Sequence, residues 1–153
     1  MKKISPITFF KEGVSFRMNK QEALRKWITL AAKKEGYNIE QLNYIFCSDR
    51  YLKKMNVSYL NHNYYTDIIT FDNSVEKKKI IGDVFISIDT IKYNATEYKT
   101  TFENELARVM IHGLLHLVGY SDRSPKEQKK MSSMEDFWLS NKNRNQSILK
   151  KIK

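Results

Sequence analysis

The sequence predicts an α+β domain, and three observations carry that reading. The chain has 153 residues, room for one ordinary domain rather than two. Short runs rich in β-branched and aromatic residues are interspersed with helical patterns up to Ile88, and only helical patterns follow. Hydrophobic residues make up 41% and aromatics 12%, which supplies a core and excludes a disordered chain.

Ile7–Phe10 and Val14–Met18 read as two short strands around Lys11-Glu12-Gly13, a predicted hairpin. Asn19 reads as an N-cap, with Glu22 completing a capping box. The helix it opens gathers Leu24, Trp27, Ile28 and Ala31 on one face and stops at Gly36. Tyr44–Cys47 is a third strand. Ser48-Asp49 caps a helix through Leu52 and Met55 to about Leu60. Ile68–Phe71 and Ile80–Ile88 are two further strands separated by the polar turn Asp72–Lys79, and Asp83, after Gly82, reads as a turn residue. Helices are predicted over Thr90–Tyr98, Thr101–Val118 and after Pro125. There are no repeats and no low-complexity linker.

Lys and Arg number 27 against 17 Asp and Glu, a formal net charge of +10. That balance favours a polyanionic partner, nucleic acid before an anionic membrane. From Arg123 onward nine basic residues face three acidic ones, so +6 of the charge lies in the last 31 residues. This stretch reads either as a solvated helix with a frayed basic end or as an arm for RNA phosphates. A single cysteine, Cys47, excludes an internal disulfide framework and a Cys-rich zinc module; its apolar neighbours mark a buried strand thiol. No stretch approaches the roughly 20 apolar residues of a membrane span, and Met1-Lys2-Lys3 is not followed by an apolar signal region. A cytoplasmic location is expected.

The chemistry concentrates in Ile111-His112-Gly113-Leu114-Leu115-His116. Histidines one helical turn apart project from one face and can grip one ion. Leu106, Met110, Gly113 and Leu117 form an apolar stripe, and Ala107, Ile111, Leu114, Leu115 and Val118 cover most of the remainder, so the helix is expected to be buried. Buried histidines need partners. Gly119 can end the helix, and Asp122 follows on the returning segment, giving His-x-x-x-His-x-x-Gly-x-x-Asp. Two imidazoles and a carboxylate make a three-ligand metal site with an open fourth position, as catalytic zinc requires; satisfied core histidines are the plain alternative. Metzincin peptidases share this spacing but carry Glu directly after the first histidine as general base, where this chain has Gly113.

His112-Gly113-Leu114-Leu115-His116-Leu117-Val118-Gly119-Tyr120 closely resembles the signature of the YbeY family, bacterial rRNA maturation factors and metal-dependent endoribonucleases. Thr66-Asp67-Ile68-Ile69-Thr70-Phe71, Ile81-Gly82-Asp83-Val84-Phe85-Ile86-Ser87, Met131 and Glu135 are similar to further family positions, over roughly residues 40–140. The resemblance implies a small mixed sheet of about four strands, with helices packed around a buried central helix that carries the two histidines. One catalytic metal-binding domain over residues 1–140 is expected, followed by a basic tail over 141–153. The resemblance also implies a single-strand-specific, metal-dependent endoribonuclease acting in 16S rRNA maturation and ribosome quality control, with single-stranded rRNA and the small ribosomal subunit or its associated proteins as partners. The expected ligands are His112, His116 and Asp122, and the expected ion is zinc, with manganese, iron or nickel as other choices.

Two positions depart from the family pattern: Asp122 stands where a third histidine is usual, and Leu60 where an arginine is usual. His62, Arg123 and Arg108 are candidates to supply the missing cation. Asp67 reads either as a partner of a metal-bound histidine, as a group acting on a proton, or, with Thr66, as the entry to a strand. Tyr64 and Tyr65 are candidates for stacking on bases or for packing. Two other readings stay open: a metzincin-like peptidase, and a non-catalytic ribosome- or RNA-binding metal protein.

Overall fold

The computed structural model describes residues 5–60 and 66–152, with side chains described except at 59–60 and 145–152. Four strands, β1 (Ile7–Lys11), β2 (Asn38–Cys47), β3 (Ile68–Asp72) and β4 (Lys79–Ser87), form one sheet in the order β1-β2-β4-β3. β1 and β4 both run parallel to β2, and β3 is antiparallel to β4, so the sheet is mixed. The helices are α1 (Gln21–Lys34), α2 (Asp49–Leu60), α3 (Ile88–Glu97), α4 (Phe102–Leu117) and α5 (Pro125–Ile152). This is the predicted α+β class with the four-stranded mixed sheet.

The expected hairpin does not form. β1 pairs with β2, and Val14–Met18 makes no strand. Its alternation is real but has another cause: Val14, Phe16 and Met18 turn onto the core while Ser15 and Arg17 face solvent. The Phe16 ring meets Phe46 edge-on at 5.2 Å. Alternation reports which face is covered, not which strand is the partner. The Asn19 capping box is also absent, because α1 starts from Lys20 in a left-handed conformation without a side-chain cap. Asp83 lies inside β4 rather than in a turn, where its carboxylate accepts from Asn43 Nδ2 at 2.9 Å. Ser48 does cap α2, accepting from the Tyr51 N–H at 3.1 Å.

Helix α4 lies at the centre, packed against α1, α3, α5, β3 and β4. Leu106, Met110, Ile111, Leu114 and Leu115 are buried along it. Tyr44 of β2 donates its hydroxyl to the Met110 carbonyl at 3.0 Å, and both residues are fully enclosed. Gly113 sits where α4 crosses the sheet: a Cβ there would lie 2.8 Å from Val84 Cγ1 and 3.1 Å from Ile68 Cδ1. Only a residue without a side chain allows that approach. It brings the face bearing His112 down toward the start of β3. α5 closes the core with Met131, Trp138 and Leu139, and Trp27 of α1 donates Nε1 to the Trp138 carbonyl at 2.9 Å.

Candidate metal centre

Arg108, His112 and His116 are spaced one turn apart and form a half-buried stripe on a helix that is otherwise covered beyond its first turn. After His116 the helix ends by a mechanism the sequence encodes. Gly119 takes φ 103°, its N–H reaches the His116 carbonyl at 3.1 Å, and the Tyr120 N–H reaches the Leu115 carbonyl at 2.9 Å. These two bonds satisfy carbonyls that the helix end would leave open and turn the chain back. Tyr120 then donates its hydroxyl to the Glu35 carboxylate at 3.0 Å, tying the returning segment to the end of α1. Downstream, Ser124 and Glu127 exchange hydrogen bonds at 3.1 Å each in a capping box, with Pro125 opening α5. Asp122 is thus held between two anchored points.

Each imidazole places its Nδ1 on an acceptor. His112 Nδ1 lies 2.7 Å from Glu135 Oε2, and His116 Nδ1 lies 3.0 Å from the Tyr120 carbonyl oxygen. A carboxylate or a carbonyl only accepts, so in each neutral ring the proton belongs on Nδ1 and Nε2 carries a lone pair. Those Nε2 atoms are 2.9 Å apart, and each is 3.4 Å from Asp122 Oδ2. Two lone pairs and a carboxylate oxygen this close repel one another unless a cation sits among them. Ligands about 2.0–2.1 Å from a tetrahedral zinc lie about 3.3 Å from one another, close to these separations. His112, His116 and Asp122 therefore fit a single metal ion, and they are the group of three among the described residues that meets this condition.

Behind His112, Glu135 is itself held. It is 7% exposed, and its second oxygen accepts from Arg108 Nη1 at 3.1 Å. Arg108 also bonds Asp136 at 3.1 Å and lies 3.9 Å from Glu105. Burial disfavours the charged His112 ring, but the Glu135 bond and charge, with Asp67 and Asp122, outweigh it and hold the proton above the usual imidazole range. Burial raises the Asp67 carboxyl above its ordinary range, against the opposing pull of His112. Among the sequence-derived candidates, Asp67, Arg123, His112, His116 and Asp122 all line one cleft of about 1120 Å³. Arg108 does not line it, because its guanidinium is committed to carboxylates. His62, Tyr64 and Tyr65 lie outside the described residues, as does the Leu60 side chain. The orienting role of Glu135 was not legible from spacing, because it sits 23 residues beyond His112 on another helix.

Residues 7–143 match the family model described as Endoribonuclease YbeY. The chain belongs to the YbeY family. An endoribonuclease YbeY of Cytophaga hutchinsonii is 54% identical over 134 residues, 88% of this chain and 94% of that protein. One from Karelsulcia muelleri is 50% identical over 124 residues, 81% and 87% of the two chains. A Thermotoga maritima protein solved in solution has a similar fold, with a TM-score of 0.62 at 26% identity over 89% of this chain and 88% of that one. YbeY membership at this identity supports an endoribonuclease role, an RNA-cleaving hydrolase. Among the described residues no helix is long and apolar enough to cross a membrane.

Proposed function

We propose that the chain cleaves single-stranded RNA at a metal ion held by His112, His116 and Asp122. The observation that carries this reading is the convergence of two imidazole Nε2 atoms and one carboxylate oxygen, with an acceptor placed against the Nδ1 of each ring. His112, His116 and Asp122 would hold such an ion, with zinc expected and manganese, iron or nickel also compatible, and when bound it would supply polarisation of a phosphoryl oxygen or a lowered pKa for an adjacent water. Glu135 and the Tyr120 carbonyl orient the two rings. Asp67, partly desolvated beside His112, suits a group that takes or returns a proton. Arg123 on the cleft wall is the cation available to a phosphate, and His62 is a further candidate from the sequence.

By the same family resemblance, the substrate is single-stranded rRNA, the setting is cytoplasmic 16S rRNA maturation and ribosome quality control, and the partner is the small ribosomal subunit. Residues 1–140 act as the catalytic domain and 141–153 as its basic tail. The peptidase reading is not favoured. A side chain at Gly113 would run into Val84 and Ile68, so that position has no room for a glutamate serving the metal.

The test is cleavage of labelled single-stranded RNA by wild type and His116→Ala purified in parallel, with and without chelator. Metal-dependent cleavage by wild type alone supports the reading. Equal cleavage by both preparations, or none by either, removes it, and full metal content in the variant removes the proposed ligand set.

A further inference from the structure

Two hollows meet at the candidate metal centre. The main cleft and a second hollow of about 600 Å³ share Asp72, His116 and Leu117. The main cleft carries Asp67, Asp72, Asp122 and Glu127 against Arg123, so away from the ion proposed at its centre its own side chains offer a polyanion little positive charge. The second hollow is walled by the β3–β4 turn, where Lys77, Lys78 and Lys79 are consecutive and exposed and outnumber its two carboxylates, Glu76 and the shared Asp72.

We propose that an RNA strand lying across the metal centre continues past His116 into the second hollow, where Lys77 and Lys78 hold its phosphates. The inference rests on the endoribonuclease reading and adds the surface that binds substrate.

The turn is braced for such a role. The Asn38 N–H reaches the Lys78 carbonyl at 2.8 Å, the Asn73 N–H reaches the Ile81 carbonyl at 2.8 Å, and the Ile81 N–H reaches Ser74 Oγ at 3.1 Å. The Lys78 ammonium rests 4.4 Å from the Tyr37 ring centroid, a contact that positions the charge without pairing it to a carboxylate. Lys79 is paired with Glu76 at 3.2 Å, whereas Lys77 has no carboxylate partner among the described residues. Cations mounted on a fixed turn lose less freedom when they meet a phosphate than cations on a free tail.

The test is fluorescence anisotropy of a labelled, short single-stranded RNA with the full chain, as purified with its metal and again after chelation, over a series of salt concentrations. Wild type is compared with Lys77→Gln/Lys78→Gln, with Lys77→Gln alone, and with Lys150→Gln/Lys151→Gln in the tail. Removing one lysine–phosphate pair on a single strand lowers the slope of log affinity against log salt by about 0.7, so the turn variant is expected to drop by about 1.4 and the tail variant little. A wild-type slope and affinity in the turn variant, or a drop confined to the tail variant, overturns the proposal. Absence of RNA binding by wild type overturns it as well. Binding needs no turnover, so a turn variant with the reduced slope supports the surface even if no RNA is cut. Metal-dependent cleavage with an unchanged slope sinks the surface and leaves the nuclease reading standing.

Discussion

Glu135 connects the candidate metal centre to the body of the protein. In Glu135→Ala, His112 Nδ1 loses the acceptor at 2.7 Å, and Arg108 loses one of its carboxylate partners at 3.1 Å. The ring is then free to move its proton to Nε2, the atom that has to carry the lone pair toward Asp122 and His116. Removing such an outer partner of a metal-bound histidine typically weakens metal binding by about 10–100-fold, or about 1.4–2.8 kcal/mol. Glu135 is buried, so the upper part of that range is expected. Glu135→Gln keeps the shape and an oxygen acceptor but loses the charge assistance and turns an amide toward Arg108, so an intermediate loss is expected. The assay is competition for zinc against a chromophoric chelator at neutral pH, with thermal melts establishing that each variant is folded at the assay temperature. A folded Glu135→Ala protein that binds zinc as tightly as wild type refutes the reasoning, since it would mean that Glu135 does not set the ring.

Gly113→Ala gains about 1 kcal/mol of helix propensity but pushes a methyl to 2.8 Å from Val84 Cγ1, and overpacking of that kind costs about 1–3 kcal/mol. A net loss of about 1 kcal/mol lowers the melting temperature by about 2–4 °C in calorimetry; a rise would show that the helix–sheet packing is looser than described. The Cys47 thiol is pushed up to about 12, first by burial and then by the charges of Asp49, Asp89 and Glu12. Mass spectrometry should therefore find no alkylation by iodoacetamide at pH 8 in the folded protein and complete alkylation in urea, and prompt native-state labelling contradicts the burial. Because the folded value lies above the ordinary 9.0, this group's contribution to stability is intact below about pH 9 and falls as pH rises toward 12.

The element types and much of the proposed site are legible because they are local. A turn of helix puts His112 beside His116 whatever surrounds them, and Gly119 with its left-handed backbone brings Asp122 around three residues later. The α1 face of Leu24, Trp27, Ile28 and Ala31 is readable for the same reason, and all four are buried. Pairing is not legible. Lys11-Glu12-Gly13 has the look of a turn, and Gly13 does take φ 67°, yet the hydrogen bonds of β1 go to β2, across the whole of α1. Nothing within ten residues of a strand records a partner that distant.

Arg108 and Gly113 show the division most clearly. By sequence Arg108 is a free cation one turn from a histidine; α5 brings Glu135 and Asp136 to it and makes it a brace. Gly113 reads as a missing catalytic glutamate, whereas the packed structure gives it a purpose, the passage of α4 over Val84 and Ile68. The α+β class, the spacing of three metal-competent side chains and the family they mark are written in the residues alone, because each depends on helical period, backbone freedom at glycine or side-chain chemistry. Which strands pair, which carboxylate orients His112 and which cations stay open to a substrate are settled by folding. Those choices are made between segments far apart in the chain, and they exist only once the core has closed around α4.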